Sequence, residues 1–170
     1  MPITLLESDD IAWYRDAFGA ARGVASALAL RIGLGEQRSA DVALAVSEVA
    51  SNLHKHAVEG ALLLRVVRTE AHAGIEVLAV DRGPGIADVA EAMRDGISPV
   101  GSLGIGLGAV ARAADVFDLD SSSDRGTILA ARFWAADGAP DRSEPAAAGV
   151  TRPISGEQVC GDAWSARLDE

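Results

Sequence analysis

Apolar positions recur at helical spacing through most of the first sixty residues. Ile11, Tyr14, Phe18, Ala21, Ala25, Leu28 and Ile32 follow one another three or four residues apart, which predicts a long amphipathic helix with one buried stripe. Ser8 stands as its N-cap with Asp9 and Asp10 in the first turn, and Gly33 and Gly35 end it. The run at residues 3–6 ahead of it reads as an edge strand. A second helix is predicted over residues 36–58. At about 100° per residue, Val42, Val46, Val49 and Leu53 share one stripe, while Glu48, Asn52, Lys55 and His56 share another roughly 105° round. A carboxylate, an amide, an ammonium and an imidazole beside the buried face make either the wall of a site or a clustered surface stripe.

The pattern then changes. Residues 61–70 and 75–80 are strand-like runs rich in branched residues, separated by a hairpin break at residues 71–74. DRGPGI at residues 81–86 follows, then a segment that is weakly helical at first and loop-like up to Gly101. GSLGIGLG, residues 101–108, leads into a short helix ending near Asp115. Two further strands, residues 116–120 and 127–134, flank a turn at residues 121–126. This order predicts an α+β, two-layer α/β sandwich, a mixed, mostly antiparallel sheet with helices on one face. The globular unit ends near Trp134, residues 135–152 read as an Ala/Pro/Asp/Glu-rich linker, and residues 153–170 are a separate tail.

Composition narrows the functional classes. At 170 residues and 49% hydrophobic the chain can bury one sizeable core, which aliphatic residues must fill because aromatics are only 4%. A net charge of −10 argues against nucleic acid or an anionic membrane as partner and favours protein partners. The residues from 135 onward hold seven acids and three arginines, a net of −4, which leaves −6 on the domain. The single cysteine, Cys160, excludes an internal disulfide framework. Neither a signal peptide nor a membrane-spanning run is visible, so the cytoplasm is the expected compartment.

Candidate chemistry sits at four places. Asp81 ends a strand, and Gly83 and Gly85 let a ligand approach the backbone beside its carboxylate. Gly104, Ile105, Gly106, Leu107 and Gly108 open a helix, where free N–H groups and the dipole attract phosphate. Thr127 opens the last strand after Gly126, and Glu48 with Asn52 lies four apart on the second helix. Taken singly, each is also an ordinary turn, helix start or strand start. His54, His56 and His72 lack metal-site spacing, and His72 reads as a hairpin surface residue.

The ordered set resembles the Bergerat-fold (GHKL) ATP-binding domain shared by histidine kinases, the Hsp90 class and bacterial anti-sigma serine kinases, over residues 3–134. Compactness, the phrase AEAMRDGISPVGSLGIGLGAV and the ending GTILAARFW are most similar to the RsbT-type switch kinases. The resemblance implies Glu48 as catalytic acid/base, Asn52 as Mg²⁺ ligand, and Asp81 as acceptor for the adenine amino group, with Gly83, Gly85 and Ile86 around the base. It further implies Gly104 to Gly108 beside the phosphates, Thr127 near adenine, and Lys55 and His56 within reach of phosphate oxygens. Its implied cofactors are ATP and Mg²⁺, and its implied activity is a serine/threonine kinase acting on a STAS-domain antagonist protein. The alternative is a non-catalytic, ATP-gated module controlling a sigma factor, a stressosome partner or an attached phosphatase. Residues 153–164 resemble the opening strand of a SpoIIE-type PP2C phosphatase domain, with Asp162 at the metal-ligand position, as a piece of a longer protein or a relic.

Overall fold

The computed structural model describes residues 4–5, 7–69, 72–94, 106–135 and 146–147. Five strands form the main sheet in the order β2-β3-β4-β6-β5: β2 (Glu7–Tyr14), β3 (Ala61–Arg68), β4 (Ala73–Asp81), β5 (Val116–Ser122) and β6 (Gly126–Trp134). All four pairings are antiparallel. Helices α1 (Ala21–Arg31), α2 (Glu36–His56), α3 (Val89–Ala92) and α4 (Gly106–Ala113) complete the main body, and α1, α2 and α4 contact its strands. The predicted α+β sandwich is the observed class.

The core lies between these layers because the strands alternate. Leu62, Leu64 and Val66 of β3, Ile75 and Val77 of β4, and Leu129, Ala131 and Phe133 of β6 point to one side, where Val42, Val46, Val49 and Leu53 of α2 meet them. Each such Val or Leu contributes about 1.5–3 kcal/mol on burial, so this stripe fixes how α2 rotates about its axis. With the stripe fixed, Asn52, Lys55 and His56 are carried to the rim of the core. Arg38 locks the helix start: Nε donates to the Trp134 carbonyl at 3.2 Å, Nη1 donates to the Ala113 carbonyl, Nη2 pairs with Asp115, and the guanidinium lies 5.5 Å from the Phe133 ring centre.

The N-terminal helix is a correction. Residues 7–14, which the spacing assigns to a helix capped by Ser8, form β2 at the sheet edge, and α1 starts only at Ala21 after a 3-10 turn at Phe18–Ala20. The physical reason is a bulge. Asp9 pairs with Val66 but Ala12 pairs with Leu64, so β2 spends three residues where β3 spends two, and strand alternation is disguised as a three-four rhythm. Ala12 and Tyr14 pack against the core from this strand, and burial raises the Tyr14 phenol above its usual pKa. The run at residues 3–6 is represented by β1 (Thr4–Leu5), which pairs in parallel with β7 (Ala146–Ala147), a two-residue strand inside the expected linker. Residues 153–170, with Cys160 and the phosphatase-like match, lie outside the described residues, as do residues 95–103 of the expected lid.

On the other side of the sheet, three strands contribute one buried ionic row. Glu76 accepts from Arg65 Nε at 2.7 Å through one carboxylate oxygen and from Arg132 Nε through the other, and the three residues are aligned in register. Removing one partner of a buried ionic group costs about 3–5 kcal/mol, because the remaining charges stay desolvated. Glu76→Ala is therefore expected to lower unfolding free energy by about that amount in urea titration; a loss under about 1 kcal/mol would mean that water already screens the row.

Candidate functional site

A cavity of about 510 Å³ opens between the end of α2, the Asp81–Ile86 loop, the start of α4 and strands β5 and β6. Its walls include Asn52, Lys55, His56, Asp81, Gly85, Ile86, Gly106, Leu107 and Thr127, so all four sequence clusters contribute to one space. Val49, Leu53, Ala79, Leu119 and Leu129 supply an apolar floor, and Ala92 of α3 adds one side. A flat aromatic ligand suits such walls, with few polar groups fixing its orientation.

Asp81 is the fixed polar group at the β4 end of the cavity. It closes β4 opposite Thr127, and its Oδ1 accepts from the Gly83 backbone N–H at 2.6 Å. That bond commits one carboxylate oxygen to the protein and orients the other. Gly83 does not itself line the cavity; a Cβ there would lie 2.8 Å from Asp81 Oδ1 and 2.8 Å from the His56 carbonyl, so its smallness serves the Asp81 turn. At Gly85 a Cβ would lie 2.5 Å from the Ser122 carbonyl, which makes the loop pack against the end of β5.

Ser121 is a residue that motif reading passes over as part of a turn. Its hydroxyl accepts from the Ile86 N–H at 2.8 Å and lies 2.9 Å from Thr127 Oγ1, tying the Asp81–Ile86 loop to the last strand. Only its pairing opposite Thr127 distinguishes it from neighbouring serines, and that register is not visible in a Ser-Ser-Ser run.

At the α4 end of the cavity, Gly106 begins the helix and lines the space. Gly108 does not line it. A Cβ there would lie 2.2 Å from the Met93 carbonyl, so Gly108 is where α4 packs against the residues after α3. Gly104 and Ile105 lie outside the described residues. Lys55 and His56 are exposed at the opposite rim. Glu48 is half-buried one turn before Asn52 but is not among the residues lining the cavity.

Fit to a magnesium nucleotide can be judged from the donors. Among the described residues no group of three or more His, Cys, Asp or Glu side chains could hold a metal ion, so a bare divalent-ion cage is not built. Asn52 offers one neutral amide oxygen instead. That suits a hard cation whose other ligands are phosphate oxygens and water. The residues present therefore fit Mg²⁺ carried in by a nucleotide.

A two-layer sandwich holding a carboxylate at a strand end, an amide on the long helix and a helix start across one cavity defines an ATP-binding domain. The chain belongs to the histidine kinase-like ATPase domain family, whose profile matches residues 15–133. It is 36% identical over 115 residues to the serine/threonine-protein kinase RsbT of Bacillus subtilis (strain 168), a match covering 68% of this chain and 86% of that relative. No helix among the described residues is long and apolar enough to cross a membrane.

Proposed function

We propose that this domain is a Mg²⁺-ATP-dependent serine/threonine protein kinase of a partner-switching pathway, phosphorylating a STAS-domain antagonist protein in the cytoplasm. The observation carrying this reading is the convergence of Asp81, Asn52 and the start of α4 on one cavity, joined to the likeness to a protein serine/threonine kinase. ATP supplies the phosphoryl group and Mg²⁺ neutralises charge on its oxygens. Asp81 accepts the adenine amino group through the oxygen that Gly83 leaves open. Asn52 would hold the cation through its amide oxygen, and the N–H groups at the start of α4 would receive the phosphates. Glu48 orients and takes the proton of the attacking hydroxyl. These residues position and neutralise, so the rate rests on in-line placement rather than on a covalent intermediate.

A second reading, an ATP-gated module controlling a sigma factor or a phosphatase domain, is favoured by one observation: Glu48 stands outside the cavity lining. Incubation of the protein with labelled ATP and a STAS-domain substrate separates the two. Phosphate on a serine or threonine of the substrate supports the kinase; ATP-dependent complex formation without transfer supports the module.

The adenine assignment has its own test in Asp81→Asn. Because the Gly83 N–H requires an acceptor at the Oδ1 position, the new amide must place its oxygen there and turn its NH₂ toward the adenine NH₂. Donor then meets donor. The nucleotide-induced rise in melting temperature, about 2.7 kcal/mol of stabilisation at a hundredfold excess over Kd, should be mostly lost. An undiminished rise with ADP in the variant would remove Asp81 from the base site.

A further inference from the structure

Two hydroxyls at the cavity wall share a bond whose direction decides what the wall can read. Ser121 of β5 pairs opposite Thr127 of β6, and Thr127 pairs opposite Asp81 of β4, so the three residues form one row across three strands. Thr127 and Asp81 line the cavity, whereas Ser121 does not. Ser121 Oγ already accepts from the Ile86 N–H at 2.8 Å. Its own single proton has two acceptors in reach, Thr127 Oγ1 at 2.9 Å and the Gly126 carbonyl at 3.5 Å. The shorter contact takes the proton, because a hydroxyl hydrogen bond is weak at the longer distance. Accepting from the Ile86 N–H also polarises Ser121 and makes it the better donor of the pair. Thr127 Oγ1 has no other hydrogen-bond partner among the described residues, so its own proton is left for the occupant of the cavity.

The wall therefore has a polarity. Asp81 shows an acceptor, since the Gly83 N–H takes one carboxylate oxygen and leaves the other open. Thr127 on the neighbouring strand shows a donor. An acceptor beside a donor matches the edge of adenine, where the 6-amino group stands beside the bare N1. The 6-oxopurines, hypoxanthine and guanine, present the reverse, a carbonyl beside an N1–H. We propose that Ser121 is a positioning residue for base selection: by donating to Thr127 it turns the threonine hydroxyl toward N1, so that the site holds adenine and rejects 6-oxopurines, a selection that rests on the adenine-nucleotide binding proposed above. A single water between Thr127 and N1 passes the same polarity on, because a water that accepts from the hydroxyl donates to the ring nitrogen. The reversed bond, with Thr127 donating to Ser121, sets a lone pair against N1 and leaves the Ser121 proton only the carbonyl at 3.5 Å.

The test is calorimetric titration of the full chain, with Mg²⁺ present, by ADP, by IDP and by 1-deaza-ADP, which replaces N1 with C–H and keeps the 6-amino group. The wild-type protein should bind 1-deaza-ADP about tenfold more weakly than ADP, because a hydroxyl is left unpaired, and IDP more weakly still, because its 6-oxo group also meets Asp81. In Ser121→Ala the preference for ADP over both analogues should shrink several-fold, whatever the change in overall affinity. Ser121→Thr keeps a hydroxyl and should restore the preference. A role confined to tying the Asp81–Ile86 loop to the sheet would weaken all three nucleotides alike, and unchanged ratios in Ser121→Ala would overturn the proposal. The wild-type measurement needs no variant to fold. Equal binding of ADP and 1-deaza-ADP there would overturn the proposal while leaving the adenine nucleotide in the site, whereas a wild-type protein that binds no ADP would remove the nucleotide itself and base selection with it.

Discussion

Glu48→Ala should cut phosphotransfer to the antagonist protein by about 10² to 10⁴ while leaving ATP affinity within a few-fold. The split follows from position. Glu48 is one helical turn before Asn52 and does not line the cavity, so its loss removes no contact with the base or its floor. Its carboxylate is required only when a hydroxyl is to lose its proton. Asn52, one turn further into the cavity, is the opposite case, and Asn52→Ala should weaken Mg²⁺-ATP binding directly. Single-turnover transfer and equilibrium nucleotide binding measured on both variants read the two roles apart. A Glu48→Ala protein with full transfer would sink the assignment of the proton acceptor, and wild-type protein that binds ATP and its partner yet transfers nothing would replace the kinase by the gated module.

The long helix α2 was legible because its period is long and clean: twenty-one residues with Val42, Val46, Val49 and Leu53 in line leave one possible rotation, and the polar row follows from it. The β3–β4 hairpin was legible for the complementary reason, branched residues on both faces of two runs with a short break. β2 was not, because the bulge between Asp9 and Ala12 gives an edge strand a false helical rhythm; its identity comes from its pairing with β3, distant in sequence. The site shows the same division. Asp81, Asn52 and Thr127 are named by local motifs, whereas Ser121 acquires its role only through strand register, and Gly83 and Gly108 serve backbone packing that a motif cannot distinguish from ligand contact. Local chemistry is written in short windows, and approach between backbones is not.

Close approach is most severe at Gly126, and Gly126→Ala should be among the most damaging single-methyl changes in the domain. Gly126 has φ +85, and a Cβ there would lie 2.0 Å from the Asp81 carbonyl oxygen and 2.7 Å from Arg82 Cα. Both are backbone atoms that cannot rotate aside. The pair Asp81–Thr127 would have to open, moving two residues of the cavity wall apart together. Backbone strain of about 1–3 kcal/mol adds to that displacement, for an expected loss of about 3 kcal/mol or more. At about 2–4 °C per kcal/mol for a chain of this size, the melting temperature should fall by about 6–12 °C, with nucleotide-induced stabilisation falling alongside. Gly106→Ala is the control. It also has positive φ, +55, but among the described residues nothing lies within 4 Å of its Cβ position, so it carries conformational strain without collision. Calorimetry on the two variants separates the effects: equal shifts in melting temperature would mean that the β4–β6 end yields freely, and a much larger shift for Gly126→Ala means that the strand end holds Asp81 rigidly in the cavity wall.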